Sequence, residues 1–179
     1  MGMLEQVGIP YMLTGSFASA HHGTPRATQD IDMVIDSSPA QLRALVQLLP
    51  EGEYYIDLDE ALHAHGQQSQ FNVVDLATGW KVDFIIRKSR AFSRTEFERR
   101  EPIELRGLRL FVATAEDVIV AKLEWAKLGQ SQRQIEDAAG ILRIQSETLD
   151  RAYIARWVGN LDLSREWQAA CLLAGVAPG

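Results

Sequence analysis

The chain has 179 residues, 46% of them hydrophobic and 23% charged, with a net charge of −6 and one cysteine, Cys171. That length suits one core with a helical appendage and excludes two large domains; the composition excludes a disulfide framework, a cysteine-based zinc site and indiscriminate coating of nucleic acid. No apolar run approaches the roughly 18 residues that a membrane span needs. Met1-Gly2-Met3-Leu4-Glu5-Gln6 lacks the basic and apolar regions of a secretory signal, so the cytoplasm is the expected compartment, with no membrane partner.

Ile9 to Thr14 reads as a short buried strand, with Pro10 near its start where a missing N–H is tolerated. Gly15-Ser16 turns it into a helix through about His22, which Gly23 and Pro25 end, and Thr24 to Gln29 is loop. Asp30 to Asp36 alternates strictly, with Ile31, Met33 and Ile35 on one face and Asp30, Asp32 and Val34 on the other. Because only the outer end of the second face is polar, the aspartates are expected at a sheet edge or cleft. Ser37-Ser38-Pro39 starts a helix to Leu49, and Pro50-Glu51-Gly52 stops it.

Glu53 to Leu58 is expected as a further short strand, and Glu60 to Gln67 as a turn or two of helix. Phe71 to Ala77 and Trp80 to Arg87 read as two strands joined around Thr78-Gly79. In the second, Asp83 is an acid in an otherwise strongly apolar strand, sharing a face with Lys81. Ala91 to Arg100 is a polar helix, and Ile103 to Leu105 with Leu108 to Val112 form another hairpin. From Thr114 the pattern is helical: Thr114-Ala115-Glu116-Asp117 resembles a capping box, with Gly129 as the stop. Ser131 to Arg143, Asp150 to Val158 and Ser164 to Ala174 are three further helices. Trp125, Trp157 and Trp167 are read as helix-packing core rather than a base-stacking platform.

The stretch from Gly15 to Asp32 carries the chemistry. A helix N-terminus offers free N–H groups and a positive dipole end to phosphate. Two carboxylates at i and i+2 of a strand share a face, about 7 Å apart along the backbone. They repel unless a cation neutralises them, and Mg2+ (or Mn2+) suits a few carboxylates plus substrate phosphates. Ser16 serves either a phosphate or an ordinary N-cap, and Arg26 either contacts phosphate or pins the loop to Asp30. Lys122 has Val118, Ile119, Trp125 and Ala126 around it on its helix, so it either snorkels to the surface or meets a buried anion. Asp137 either orients Lys122, supports an acceptor or is an exposed helix acid. Residues 87–109 hold eight basic side chains against four glutamates, either a solvated surface or a positive wall for polyphosphate or RNA. His21-His22 and His63-x-His65 lack zinc-ligand spacing.

Gly15-Ser16 followed by Asp30-Ile31-Asp32 resembles the signature of the polymerase-β-type nucleotidyltransferase superfamily. With Gly23, Arg26 and Thr28 between them, the version here is similar to the AbiEii/AbiGii toxin-like nucleotidyltransferases. The run from Glu116 through Lys122 to Trp125, with Arg133-Gln134 and Asp137, resembles the same group. The resemblance implies an α/β (α+β) fold: a nucleotidyltransferase-type mixed sheet flanked by helices over residues 1–113, then a helical bundle over 114–179 packed on that core. It implies a third carboxylate on a neighbouring strand, for which Asp83 is the best match and Asp75 the rival; Asp83 as a plain partner of Lys81 or of a nearby arginine is the alternative. Asp30, Asp32 and Asp83 would then be catalytic and metal-holding. Gly15, Ser16, Arg26, Thr28, Lys122 and Asp137 would bind substrate.

The implied activity is Mg2+-dependent transfer of an NMP group from an NTP to a hydroxyl, with pyrophosphate leaving. The acceptor would be an RNA such as tRNA, a protein or a small molecule. The alternative is a weakly active or inactive member that serves as an antitoxin-like regulatory module, and a toxin–antitoxin partner belongs to either reading. A D-x-D glycosyltransferase is disfavoured by the short chain. Acceptor, base preference and oligomeric state have no signature in these residues.

Overall fold

The computed structural model describes residues 1–25, 28 and 30–178. Arg26 therefore lies outside the described residues. In chain order the elements are α1 (Gly2–Gln6), β1 (Tyr11–Leu13), α2 (Gly15–His22), β2 (Asp30–Ile35), α3 (Pro39–Leu48), β3 (Tyr54–Tyr55), α4 (Leu58–Gln67) and β4 (Gln70–Asp75). Then follow β5 (Lys81–Ile86), α5 (Ala91–Arg99), β6 (Glu101–Leu105), β7 (Leu108–Val112), α6 (Ala115–Gly129), α7 (Gln132–Gln145), α8 (Arg151–Asn160) and α9 (Ser164–Ala174). The chain divides into two compact units, Met1–Thr14 with Thr28–Val112 and Gly15–Ala27 with Ala113–Gly179.

The first unit is a seven-stranded sheet in the order β3-β4-β5-β2-β1-β7-β6. It is mixed: β2 runs parallel to β5 and β1 parallel to β7, and the other pairs are antiparallel. β1 is apolar on both faces (Tyr11, Met12 and Leu13 are all buried), as an interior strand must be. β2 is interior too, between β5 and β1. Of the two places expected for the aspartates, a sheet edge or a cleft, the edge is excluded: they stand at the start of a central strand, because a polar strand end says nothing about which neighbours that strand has.

Turn chemistry sets the remaining bounds of this unit. Ser38 and Gln41 form a reciprocal capping box at the start of α3. Asp57 accepts the Glu60 N–H at 3.0 Å and so starts α4 at Leu58, which shortens the strand expected over Glu53 to Leu58 to Tyr54–Tyr55. Asp75 accepts the N–H groups of Ala77 and Thr78, each at 2.9 Å, and closes the β4–β5 turn.

The second unit is helical. α2 packs against α6 and α7, and its end comes so near α7 that a Cβ on Gly23 would stand 2.9 Å from the Ile141 nitrogen. Thr114 caps α6, accepting the Asp117 N–H and donating its hydroxyl to Asp117 Oδ2 at 2.7 Å. Tyr153 on α8 donates to the other oxygen of this fully buried carboxylate. Two expectations change in α6. The helix includes Gly129, and Gln130, at φ 48°, takes the left-handed cap instead. Trp157 and Trp167 are buried, but Trp125 is 51% exposed, outside the core assigned to it. α6 is apolar on nearly every side, so periodicity does not select its inward face, which Val118, Ile119, Lys122, Leu123 and Ala126 occupy.

Candidate active site

The carboxylates of the sheet are placed by strand register. Asp32 is the direct partner of Asp83 across the parallel β2–β5 ladder, and Asp30 is the partner of Lys81. Opposed residues share a face, and so do residues two apart on one strand. Asp30, Asp32, Lys81 and Asp83 therefore form one polar patch at the start of β2, with the Val34–Ile85 pair next along the same face. Thr14 donates its N–H to the Asp32 carbonyl at 3.0 Å, so Asp32 has a strand on each side. The Thr28 hydroxyl accepts the Asp30 N–H at 3.1 Å and lies 3.2 Å from the Asp30 carbonyl, anchoring the first residue of β2. Asp75, the rival acid, sits on the opposite face, because β4 pairs Asn72, not Asp75, with Asp83. Its hydrogen bonds from Thr78 and Ala77 hold its carboxyl below the usual range.

Lys81 binds this patch together. Its Nζ lies 2.9 Å from Asp83 Oδ2 and 3.7 Å from Asp30 Oδ1. The hydrogen bond to Asp83 raises the lysine pKa above its ordinary value, against the pull of burial, and the charges of Asp83 and Asp30 add to the rise. Exposure grades outward, from 14% for the Asp83 side chain to 54% for Asp30. Among the described residues no group of three or more His, Cys, Asp or Glu is gathered so as to hold a metal ion. Mg2+ does not demand such a cage, since it keeps several waters and takes one or two carboxylates plus substrate phosphates. The donor set fits that ion in oxygen chemistry, shared face and charge, and the ammonium drawn to Asp30 and Asp83 marks where a cation is favoured.

The helical unit holds the other residues singled out from the sequence. Gly15 opens α2 at φ 58°, a conformation that glycine adopts without strain, and Ser16 follows it in the first turn. Lys122 on α6 is buried and donates to Asp137 Oδ2 on α7 at 2.8 Å, so the anion it meets within this unit is Asp137. His22 bonds the Ala113 carbonyl at 2.7 Å, and Gln145 donates to the His22 carbonyl at 2.7 Å; both fasten α2 within the unit. A cleft of about 660 Å³ lined by Lys127, Gln130, Ser131, Ser164 and Arg165 includes none of the residues expected to act.

No family model and no curated protein matches the sequence. Solved structures do match the fold. The antibiotic-resistance factor ANT(2'')-Ia aligns over 96% of this chain and 89% of its own, at 16% identity and a TM-score of 0.51. An antigenic nucleotidyltransferase-like protein from Paracoccidioides brasiliensis aligns over 93% of this chain and 87% of its own, at 15% identity and a TM-score of 0.52. The fold is nucleotidyltransferase-like.

On that fold, Lys81 is more than the alternative partner of Asp83, since it also reaches Asp30. Its signal was the Lys-x-Asp spacing, which on a strand sets both side chains on one face. The basic stretch over residues 87–109 divides in the other direction. Arg87 pairs with Asp36 at 3.0 Å, and the Arg100 guanidinium stacks on Phe97 at 4.2 Å, so both support the sheet unit, while Arg94, Arg106 and Arg109 are exposed.

Proposed function

We propose that the protein is a nucleotidyltransferase that moves an NMP group from an NTP to a hydroxyl acceptor, with Mg2+ or Mn2+ held by Asp30, Asp32 and Asp83. The observation that carries this reading is the register pairing of Asp32 with Asp83, with Asp30 two residues away on the same face of a nucleotidyltransferase-like fold. A bound ion would polarise the triphosphate oxygens and neutralise charge that develops on the leaving pyrophosphate. The acceptor oxygen bonds to the α-phosphorus, the bond from that phosphorus to the bridging oxygen breaks, and Asp83 takes the hydroxyl proton. Asp83 suits that role because it is the more sheltered of the acids that Lys81 pairs with.

For the triphosphate we propose the Gly15 and Ser16 N–H groups at the start of α2 and the Ser16 hydroxyl. Lys122 adds charge and Asp137 orients it, and Arg26 and Thr28 precede the aspartates in sequence. The toxin-like branch, with an RNA or protein acceptor and a cognate antitoxin, follows from the sequence resemblance at Gly23, Arg26 and Thr28. Incubation with NTPs labelled at the α- or γ-phosphate, Mg2+, and a panel of RNA, protein and small hydroxyl compounds tests the reading. Label is expected to reach an acceptor from the α-position only, in wild type and not in Asp32→Asn. Transfer that persists in Asp32→Asn, or label arriving from the γ-position, would sink it. Nucleotide binding without transfer to any acceptor would favour the regulatory module.

A further inference from the structure

Lys81 is a cation that the protein itself supplies to the proposed metal ligands. Its ammonium donates to Asp83 and reaches Asp30, and nothing in a sheet requires this, since either strand would pair as well with an apolar residue at that position. A divalent ion and this ammonium compete for the same oxygens. Mg2+ sits about 2.0–2.1 Å from its ligands, closer than a hydrogen-bonded ammonium, and two cations on one carboxylate edge repel each other. Lys81 has the means to withdraw, because its side chain is 37% exposed and its charge sits on a flexible four-carbon stem.

We infer that Lys81 is an exchangeable internal counter-ion: it offsets part of the negative charge of Asp83 and Asp30 in the metal-free protein and is displaced when a divalent ion binds. The inference rests on reading the carboxylates as a metal site. The ammonium offsets the repulsion between Asp30 and Asp83 on one face of the sheet without a metal, and this makes Lys81 a determinant of metal affinity.

The test is titration of the full chain with Mn2+ in the absence of nucleotide, followed by calorimetry and by the Mn2+ resonance signal, beside thermal melts with and without Mn2+. Lys81→Met is expected to bind Mn2+ at least about fivefold more tightly than wild type, the scale of one part-exposed ion pair. It is also expected to melt lower without metal and to gain more from Mn2+. Lys81→Arg, which keeps the charge, should stay within about twofold of wild type. Lys81→Gln neutralises the position with a polar side chain and must show the same tightening, which keeps the test decisive if Lys81→Met folds poorly. A lysine that merely supports the sheet would give equal or weaker Mn2+ binding on neutralisation, and that result overturns the inference. If wild type binds Mn2+, Asp32→Asn abolishes binding and the neutral variants match wild type, the counter-ion role alone falls. If none of these proteins binds Mn2+, the metal reading falls and takes the inference with it.

Discussion

Asp32 and Asp83 face each other across two parallel strands, so two carboxylates from separate stretches of chain share one face of the sheet. Asp32→Asn keeps the shape and removes one charge. The fold is expected to hold, while NMP transfer drops at least about 100-fold. Transfer within about tenfold of wild type in a stably folded variant would place the chemistry elsewhere.

The Lys122–Asp137 pair makes a sharper demand on the helical unit. The two side chains are 6% and 11% exposed, so removing either partner leaves a charge in a poorly solvated place. Lys122→Met or Asp137→Leu alone should cost about 3 kcal/mol in urea denaturation, and the double variant less than the two single losses combined. Strictly additive losses would show that the pair is not coupled.

Gly23 sits where no side chain fits. A Cβ there would meet the Ile141 nitrogen at 2.9 Å and the Ser19 carbonyl oxygen at 3.0 Å, both backbone atoms that have little freedom to shift. Gly23→Ala is expected to destabilise the protein by about 2 kcal/mol, read from the denaturation midpoint. A neutral result would mean that α2 and α7 lie further apart than described.

Tyr11 is buried, and its hydroxyl has no hydrogen-bond partner among the described residues. Tyr11→Phe should therefore be neutral or stabilise by up to about 1 kcal/mol. Burial, with the charge of Glu5 second, pushes the phenol pKa up. The folded protein thus resists ionisation that the unfolded chain undergoes. The stability difference is intact below the unfolded tyrosine pKa of about 10 and is lost as pH rises through the higher folded value. In alkaline melts Tyr11→Phe should lose less stability than wild type, and parallel losses would contradict this.

Asp75 gives the opposite sign. Its pKa is lowered chiefly by the hydrogen bond from the Thr78 N–H, so its contribution is present above the unfolded carboxylate range and lost as pH falls through the lower folded value. The melting-temperature gap between wild type and Asp75→Ala should be full near pH 7 and close as the pH drops below about 4. A gap that does not change with pH would show that the turn depends on shape rather than on charge.

Where local chemistry decides an element, the sequence was readable. Ser38 capping α3, the turn at Thr78-Gly79 and the run from Gly15 to His22 all follow from contacts within a few residues. What periodicity left open was decided at long range. The alternation of Asp30 to Ile35 reveals which residues share a face, but not that β5 lies on one side and β1 on the other. In the same way the Lys-x-Asp spacing offers Asp83 a partner without showing that Lys81 also reaches Asp30. Lys122 among apolar neighbours demands an anion, and the fold answers with Asp137 from the next helix. Trp125 failed for the opposite reason, because α6 carries too many apolar residues for any one stripe to stand out.

The grouping of α2 with the C-terminal helices has a consequence for how the protein is made. His22 finds the Ala113 carbonyl 91 residues further along the chain, and Gln145 reaches back across 123 residues to the His22 carbonyl. On the ribosome, then, the segment that opens with Gly15 and Ser16 emerges early and waits for its partners on the order of ten seconds at ordinary elongation rates. A helix of 8 residues is marginal on its own. Residues that stand near the start of the message thus reach their final state among the last.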